Sequence, residues 1–197
     1  MGKYIKVASR LDAQVFHGFK TCGEFTHSQL KTLGWSDTRI KNYCREGHIK
    51  KTSYQIKGQK DNGIKYKITK DGMAYAKSNW GYDKFAQTTV GHERHNEDVA
   101  NKYCSLTEKE RMSCLNEREL RDVVQQAIDQ IENQQERDRY QEMLDNKQMS
   151  MPDITYITEE QVVVAYETVT SNYSQEDIQA KMETCTFLKI EYTENRI

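Results

Sequence analysis

Two short amphipathic segments lie near the start of the chain, and each is bounded by residues typical of helix ends. The first runs from Thr26 to Gly34 and the second from Ser36 to Gly47. Thr and Ser are favoured N-cap residues, and Gly readily adopts the left-handed backbone that ends a helix. Within each segment the apolar residues recur at helical spacing. The pattern predicts two short helices joined by a tight turn, a helix-turn-helix.

Alternating segments at 53–57 and 64–69 follow, and a polar loop over 58–63 joins them. The Asn-Gly pair in that loop is a strong signal for a β-hairpin. Thr69 then caps a third predicted helix. This order of elements resembles the winged-helix fold over residues 20–80. The resemblance implies that the second helix enters the major groove of DNA while the hairpin contacts phosphates.

Charge is distributed unevenly along the chain. Residues 1–90 carry 17 Lys+Arg against 7 Asp+Glu, a balance of +10, and residues 91–197 carry 12 against 23, a balance of −11. A basic half favours a nucleic-acid partner, and we expect double-stranded DNA. The candidate DNA-binding residues on the second helix and the hairpin are Thr38, Arg39, Lys41, Asn42, Arg45, Lys57, Lys60, Lys65 and Lys67. The alternative is a solvated surface on a domain that contacts proteins.

The segment 81–91 differs in composition from its flanks and contains two glycines. It predicts a linker between a winged-helix domain at 1–80 and a second domain at 92–197. The second domain begins with a predicted helix at 92–106, and a short strand is predicted at 111–116.

The most strand-like run of the chain covers residues 161–169. Its nearly unbroken apolar content predicts a central strand covered on both faces. Glu167 near its end is then a buried acid, which is costly unless it is paired or bound to a metal. A helix beginning at Ser174 and a last strand at 188–192 complete an expected α/β domain around a central mixed sheet.

Acidic residues in this half resemble the core of the PD-(D/E)XK nuclease superfamily. Asp153 follows Pro152, a hairpin comes next, and Glu167 stands at the end of the central strand. The glutamate that precedes this pair in such cores matches Glu117 or Glu119. The resemblance implies a fold of α+β or α/β class, in which a winged helix-turn-helix precedes a small restriction-endonuclease-like domain.

The resemblance also implies a metal-dependent site. Glu117, Asp153 and Glu167 would hold Mg²⁺ or Mn²⁺, and a lysine would complete the catalytic set. The family's lysine follows the second acid by two residues, where this chain has Val169. Lys181 on the next predicted helix is the candidate replacement. The alternative is a scaffold that keeps the acids for dimerisation or partner binding.

The wider order of motifs resembles the replication-relaxation proteins of plasmids and other mobile elements. These motifs are the winged helix, His92 with residues 96–99 in one helix, residues 117–121, and Pro152-Asp153. The resemblance implies a DNA-binding protein of a phage, plasmid or conjugative element, acting in replication, mobilisation or transcriptional control. The alternative is a Mg²⁺-dependent endonuclease or nickase targeted by the winged helix. A homodimer and replication or mobilisation proteins are the further partners expected.

Cysteine usage and hydropathy bear on the compartment. The cysteines at 22, 44, 104, 114 and 185 are irregularly spaced and predict reduced thiols. No stretch approaches the roughly 18 consecutive apolar residues of a membrane span. The N-terminus also lacks the apolar segment of a secretory signal. We therefore expect a cytoplasmic protein that makes no contact with membranes.

Overall fold

The boundary between the two halves of the fold differs from the one that composition predicts. A computed structural model describes residues 4–54, 63–89 and 91–197. Backbone contacts divide the chain into two units, Met1–Met112 and Ser113–Ile197. The predicted linker at 81–91 therefore lies inside the first unit.

The first unit combines helices with a small antiparallel sheet. Its elements are α1 (Arg10–Cys22), β1 (Glu24–Thr26), α2 (His27–Thr32), α3 (Asp37–Arg45), β2 (Ile49–Tyr54), β3 (Gly63–Ile68), α4 (Lys70–Trp80), α5 (Glu93–Ser105) and α6 (Glu108–Ser113), which ends at the boundary. β3 lies between β1 and β2 and is antiparallel to both.

The helix ends in this unit follow from the capping residues. The Thr26 hydroxyl accepts a hydrogen bond from the backbone N–H of Gln29, and the Ser36 hydroxyl accepts one from that of Arg39. Each satisfies an amide that has no partner within its helix. The predicted N-caps of α2 and α3 are confirmed.

The hairpin strands are present, but the first one begins earlier than predicted. β2 starts at Ile49 rather than within 53–57, because buried Ile49 pairs with Ile68 of β3. Residues 55–62, which include the predicted loop up to Asn62, lie outside the described residues.

An aromatic core stabilises the first unit. Trp35 stacks on Tyr43 with ring centroids 4.6 Å apart, and Phe16 of α1 packs against both rings. Phe19 of α1 and Phe25 of β1 extend the cluster, with centroids 5.1 Å apart. All five side chains are buried, and such edge and stacked pairs add to the free energy of burial. α1, which the sequence analysis did not predict, supplies two of them.

Helix α5 packs on elements of the first unit. The Gln29 side-chain amide of α2 donates to Asn101 Oδ1 of α5 at 2.7 Å. The Tyr103 ring of α5 lies 6.1 Å from that of Phe25. The segment predicted to open the second domain thus belongs to the first unit.

A mixed sheet organises the second unit. Its elements are β4 (Leu115–Asn116), α7 (Glu117–Asp129), α8 (Gln134–Asp145), β5 (Ile154–Ile157), β6 (Val163–Val169), α9 (Gln175–Leu188) and β7 (Glu191–Arg196). The strand order is β4-β5-β6-β7; β6 and β7 are parallel, and the other pairs are antiparallel. The described residues therefore form a mixed α+β structure.

Two predicted strands are placed differently. Most of the predicted strand at 111–116 is wrong, because helix α6 extends through residue 113. The helix begins after Thr107, whose hydroxyl accepts from the Glu110 N–H while the Glu110 carboxylate accepts from the Thr107 N–H. The last strand is predicted at 188–192 but begins at Glu191, because α9 continues to Leu188.

The second unit contains a helical core cluster and a buried strand, β6. Leu120, Val124 and Ile128 of α7 pack with Leu144 of α8 and with Met149. β6 is flanked by β5 and β7, and its residues from 164 onward are buried. The central position predicted for this strand is confirmed. Among the described residues, no helix has the length and apolar composition needed to cross a membrane.

Neighbouring valines of β6 provide a matched test of this core. Val164 is 6% exposed and Val163 is 37% exposed. Val164→Asp should cost roughly 4 kcal/mol or more, because it buries a charge without a partner. Val163→Asp should cost under about 1 kcal/mol. Hydrogen exchange of the β6 amides measures both effects, and equal protection in the two variants would contradict this core.

Candidate functional site

Two acidic side chains meet at the end of the β5–β6 hairpin. Ile154 pairs with Tyr166 in the antiparallel ladder, so Asp153 falls opposite Glu167. The backbone N–H of Asp153 donates to Glu167 Oε2 at 3.0 Å, and that of Thr168 donates to Asp153 Oδ2 at 2.8 Å. Both carboxylates are buried. Strand register therefore brings the two predicted acids together.

A lysine and a tyrosine complete this group. Lys181 lies on the buried stripe of α9, and its Nζ is 2.9 Å from Glu167 Oε1. The same ammonium donates to the carbonyl oxygen of Met151 at 2.8 Å. The Tyr173 hydroxyl, which the sequence analysis missed, donates to Glu167 Oε1 at 2.7 Å. We call Asp153, Glu167, Lys181 and Tyr173 the carboxylate cluster.

One ammonium faces two carboxylates in the carboxylate cluster. Burial and the charge of Asp153 raise the pKa of Glu167 to about 7. Burial would lower the pKa of Lys181, but the charges of Glu167 and Asp153 outweigh it and raise that pKa. Burial and Glu167 also raise the pKa of Tyr173, so its hydroxyl stays protonated and donates. With both acids ionised the cluster has a surplus of negative charge, which a further cation would neutralise.

Glu117 and Val169 occupy the remaining predicted positions. Glu117 is the exposed first residue of α7. Burial would lower the pKa of Lys181, and the charge of Glu117 adds to the charges of Glu167 and Asp153 that raise it. Val169 is buried two residues beyond Glu167, on the same side of the strand. The ammonium beside Glu167 therefore comes from α9 and not from β6.

The donor set of this region fits a hard divalent cation. Asp153 and Glu167 offer carboxylate oxygens within 4.8 Å of each other, and carboxylate oxygens are the ligands that Mg²⁺ and Mn²⁺ prefer. Glu117 is not part of this close group. Thr155, two residues along β5 from Asp153, has a buried hydroxyl oxygen without a hydrogen-bond partner among the described residues. Buried polar atoms normally have partners, so this oxygen is an unsatisfied position on the side of the strand that carries Asp153.

Arg39, a predicted DNA-reading residue, is held inside the first unit. Its Nε donates to Asp12 Oδ1 at 2.9 Å, and its Nη2 donates to Asp12 Oδ2 and to the Val7 carbonyl oxygen. Burial would raise the pKa of Asp12, but hydrogen bonds from Arg39 and Ser9 outweigh it and lower that pKa. The guanidinium is therefore paired with a buried carboxylate and is not directed at a ligand.

Two hairpin lysines are also paired internally. Lys65 Nζ lies 2.9 Å from Glu24 Oε1, and Lys67 Nζ lies 2.9 Å from Glu24 Oε2 and from Thr88 Oγ1. Lys65 and Glu24 are both buried. Burial would raise the pKa of Glu24, but Lys65 and Lys67 outweigh it and lower that pKa. These ammonium groups neutralise a buried acid and have little capacity left for phosphates.

One group of exposed positive charges in this unit lies on α3 and the contacting edge strand β2. The exposed predicted residues are Thr38, Lys41 and Arg45, whereas Asn42 is half-buried. Lys50 and Lys51 of β2 are also exposed, and the sequence analysis missed them because it started the strand at residue 53. We call Lys41, Arg45, Lys50 and Lys51 the basic surface. Lys57 and Lys60 lie outside the described residues.

Comparisons of this chain with protein-family models, with curated proteins and with solved structures found no match. The chemistry of the carboxylate cluster and of the basic surface is therefore the basis for assigning a function.

Two arginines of α3 separate a structural role from a surface role. Arg39 is 28% exposed and pairs with Asp12, which is 1% exposed, whereas Arg45 is exposed. Arg39→Ala should destabilise the first unit by about 3 kcal/mol because it leaves Asp12 buried without its partner. Arg45→Ala should leave stability nearly unchanged. Tryptophan fluorescence during urea unfolding measures this, since Trp35 and Trp80 both lie in the first unit.

The same pair predicts a pH dependence. The pKa of Asp12 in the folded state lies below the ordinary value of 3.8. The contribution of the Asp12–Arg39 pair to the free energy of unfolding is therefore present above about pH 3.8, and it is lost as the pH falls through the lower pKa of folded Asp12. Arg39→Ala should weaken this acid dependence. An Arg39→Ala variant as stable as Arg45→Ala would contradict the pairing.

Proposed function

We propose that this protein binds duplex DNA through its first unit and hydrolyses phosphodiester bonds at a Mg²⁺-dependent site in its second. Two observations carry the proposal: Asp153 lies opposite Glu167 in the hairpin, and Lys181 Nζ lies 2.9 Å from Glu167 Oε1. Two buried acids and a lysine paired with one of them supply the oxygen ligands and the ammonium that this reaction requires.

The order of elements supports the finer fold assignment within this proposal. Helices α2 and α3, strands β2 and β3 and helix α4 follow one another as they do in a winged helix. In the second unit the β5–β6 hairpin carries Asp153 and Glu167 where the PD-(D/E)XK resemblance puts its two acids. We therefore include a winged helix and a nuclease-like core in the proposal.

Each member of the carboxylate cluster has a distinct part in this chemistry. Asp153 and Glu167, with Glu117, would hold Mg²⁺, which when bound polarises the phosphate and lowers the pKa of a bound water. Lys181 offsets part of the rise in the pKa of Glu167 that burial and Asp153 cause, and its ammonium stabilises charge that develops on phosphate oxygens. Hydrolysis adds the water hydroxyl to phosphorus, breaks the bond to the leaving sugar oxygen and transfers the second proton to that oxygen.

Charge supports DNA as the partner of the first unit. The basic surface presents Lys and Arg side chains on a helix and on an adjoining strand, a combination that can contact base edges and phosphates. The +10 balance of residues 1–90 would attract a polyanion. The resemblance to replication-relaxation proteins makes replication, mobilisation or transcriptional control of a mobile element the proposed setting.

A second candidate is a non-catalytic scaffold for assembly or recruitment. Glu167 is 0% exposed and accepts hydrogen bonds from the Asp153 N–H, the Tyr173 hydroxyl and Lys181. Its oxygens are thus satisfied without a metal, as in a structural ion pair. Metal binding and cleavage distinguish the two candidates.

Divalent metal should stabilise the wild type. At a hundredfold excess over Kd, Mg²⁺ or Mn²⁺ should raise the Tm of the second unit by about 10 °C. The shift should vanish in Asp153→Asn and Glu167→Gln, because each replaces a carboxylate ligand with a neutral amide. Mn²⁺-dependent nicking of supercoiled plasmid should be lost in the same variants. Differential scanning calorimetry and plasmid gels measure the two effects.

Glu160→Gln is the matched control for these variants. Glu160 is exposed in the loop before β6, so the substitution makes the same charge change outside the carboxylate cluster. It should keep both the thermal shift and the nicking. A wild type that shows neither, from mildly acidic to mildly alkaline pH, would favour the scaffold and overturn the nuclease proposal.

DNA binding should depend on the basic surface. The double variant Lys50→Gln/Lys51→Gln should weaken duplex binding and reduce the salt slope of log K by about 2, because two phosphate contacts are lost. Arg45→Ala should weaken sequence preference more than overall affinity. Gel-shift titrations at several salt concentrations measure both effects.

The charge-matched control is Lys70→Gln/Lys77→Gln, which removes two exposed lysines from α4. It should keep nearly the wild-type salt slope. Equal slopes for the two double variants would show that the basic surface is not the DNA contact.

A further inference from the structure

A basic cavity adjoins the carboxylate cluster in the second unit. It has a volume of about 300 Å³ and lies between the first turns of α7 and the segment that follows α8. Arg118 and Arg121 line it from α7, and Lys147 lines it from the opposite side. Buried Met149 and Met151 add apolar lining beside these three exposed cations.

The charge of the lining selects a class of ligand. Three cationic side chains face one carboxylate, that of Glu117, so the net charge of the lining is +2. A phosphate monoester carries a charge between about −1.5 and −2 at pH 7, whereas a diester carries −1. Arg guanidinium groups match phosphate oxygens in geometry as well as in charge. The cavity therefore favours a terminal phosphate over an internal one.

Shared residues connect the cavity to the carboxylate cluster. Met151 lines the cavity, and its carbonyl oxygen accepts the hydrogen bond from Lys181. Glu117 also lines the cavity, and its charge helps to raise the pKa of Lys181. A phosphate held in the cavity would thus lie next to the proposed hydrolytic site.

We propose that this cavity binds the terminal phosphate monoester of a DNA strand and so directs the second unit to phosphorylated strand ends. The inference rests on the proposed function, because it names the substrate class of the same site. Arg121 and Lys147 are the side chains whose charge the proposal requires. The monoester at either the 5′ or the 3′ end has the required chemistry, and the probes separate these two sources.

Binding of dinucleotides to the full chain tests this inference. Isothermal titration calorimetry in EDTA compares pTpT, TpTp and TpT, so that no cleavage occurs and no metal is needed. At least one phosphorylated probe should bind about tenfold more tightly than TpT. This preference should disappear in Arg121→Gln/Lys147→Gln, and the phosphorylated probe that binds more tightly identifies the strand end.

The control Arg137→Gln/Lys189→Gln makes the same charge change outside the cavity. Lys189 is well matched to Lys147, because each residue comes just after the end of a helix and has a left-handed backbone conformation. The φ angle is 57° at Lys189 and 59° at Lys147. The control should keep the preference for the phosphorylated probe. Equal binding of all three probes to the wild type, or an equal loss in both double variants, would overturn the inference.

Nicking of closed circular plasmid, which has no strand ends, reports separately on the proposed function. Nicking without a preference for phosphorylated probes would overturn only the phosphate cavity. The preference without any Mn²⁺-dependent nicking would overturn the nuclease proposal and support the cavity.

Discussion

Two carboxylates buried side by side in one sheet are the constraint on which the second unit depends. The β5–β6 register sets Asp153 opposite Glu167, and two negative charges on opposing residues of a buried strand pair are costly. α9 offsets that cost by directing Lys181 into the sheet, where its ammonium contacts Glu167 and the Met151 carbonyl oxygen. The connection from β6 through α9 to parallel β7 therefore supplies the charge that the hairpin requires.

Buried acids of the first unit are also paired with basic side chains. Part of its basic composition therefore serves internal ion pairs and not a DNA contact. Asp12 is paired with Arg39, and Glu24 is paired with both Lys65 and Lys67. The 17 Lys and Arg residues of positions 1–90 thus include side chains that neutralise internal acids. Only the cations that stay exposed, such as those of the basic surface, can form a DNA contact.

Local features of the fold could be predicted from the sequence, and long-range pairings could not. The N-caps at Thr26 and Ser36 act within three residues, so the sequence alone shows them. The approach of Asp153 to Glu167 follows from the predicted hairpin. Arg39 and Asp12, in contrast, are 27 residues apart and lie on helices whose packing no local pattern encodes. Lys181 was named from the sequence, and its position on the buried stripe of a helix is one that requires an acid as its partner.

The central claim is that Asp153 and Glu167 form a metal site and not only a structural ion pair with Lys181. The most direct measurement is the anomalous difference density of a crystal of the full chain grown with Mn²⁺. The account predicts a Mn²⁺ peak within coordination distance of oxygens from both Asp153 and Glu167. A saturated crystal without a peak at the carboxylate cluster, in which Lys181 still contacts Glu167, would contradict it.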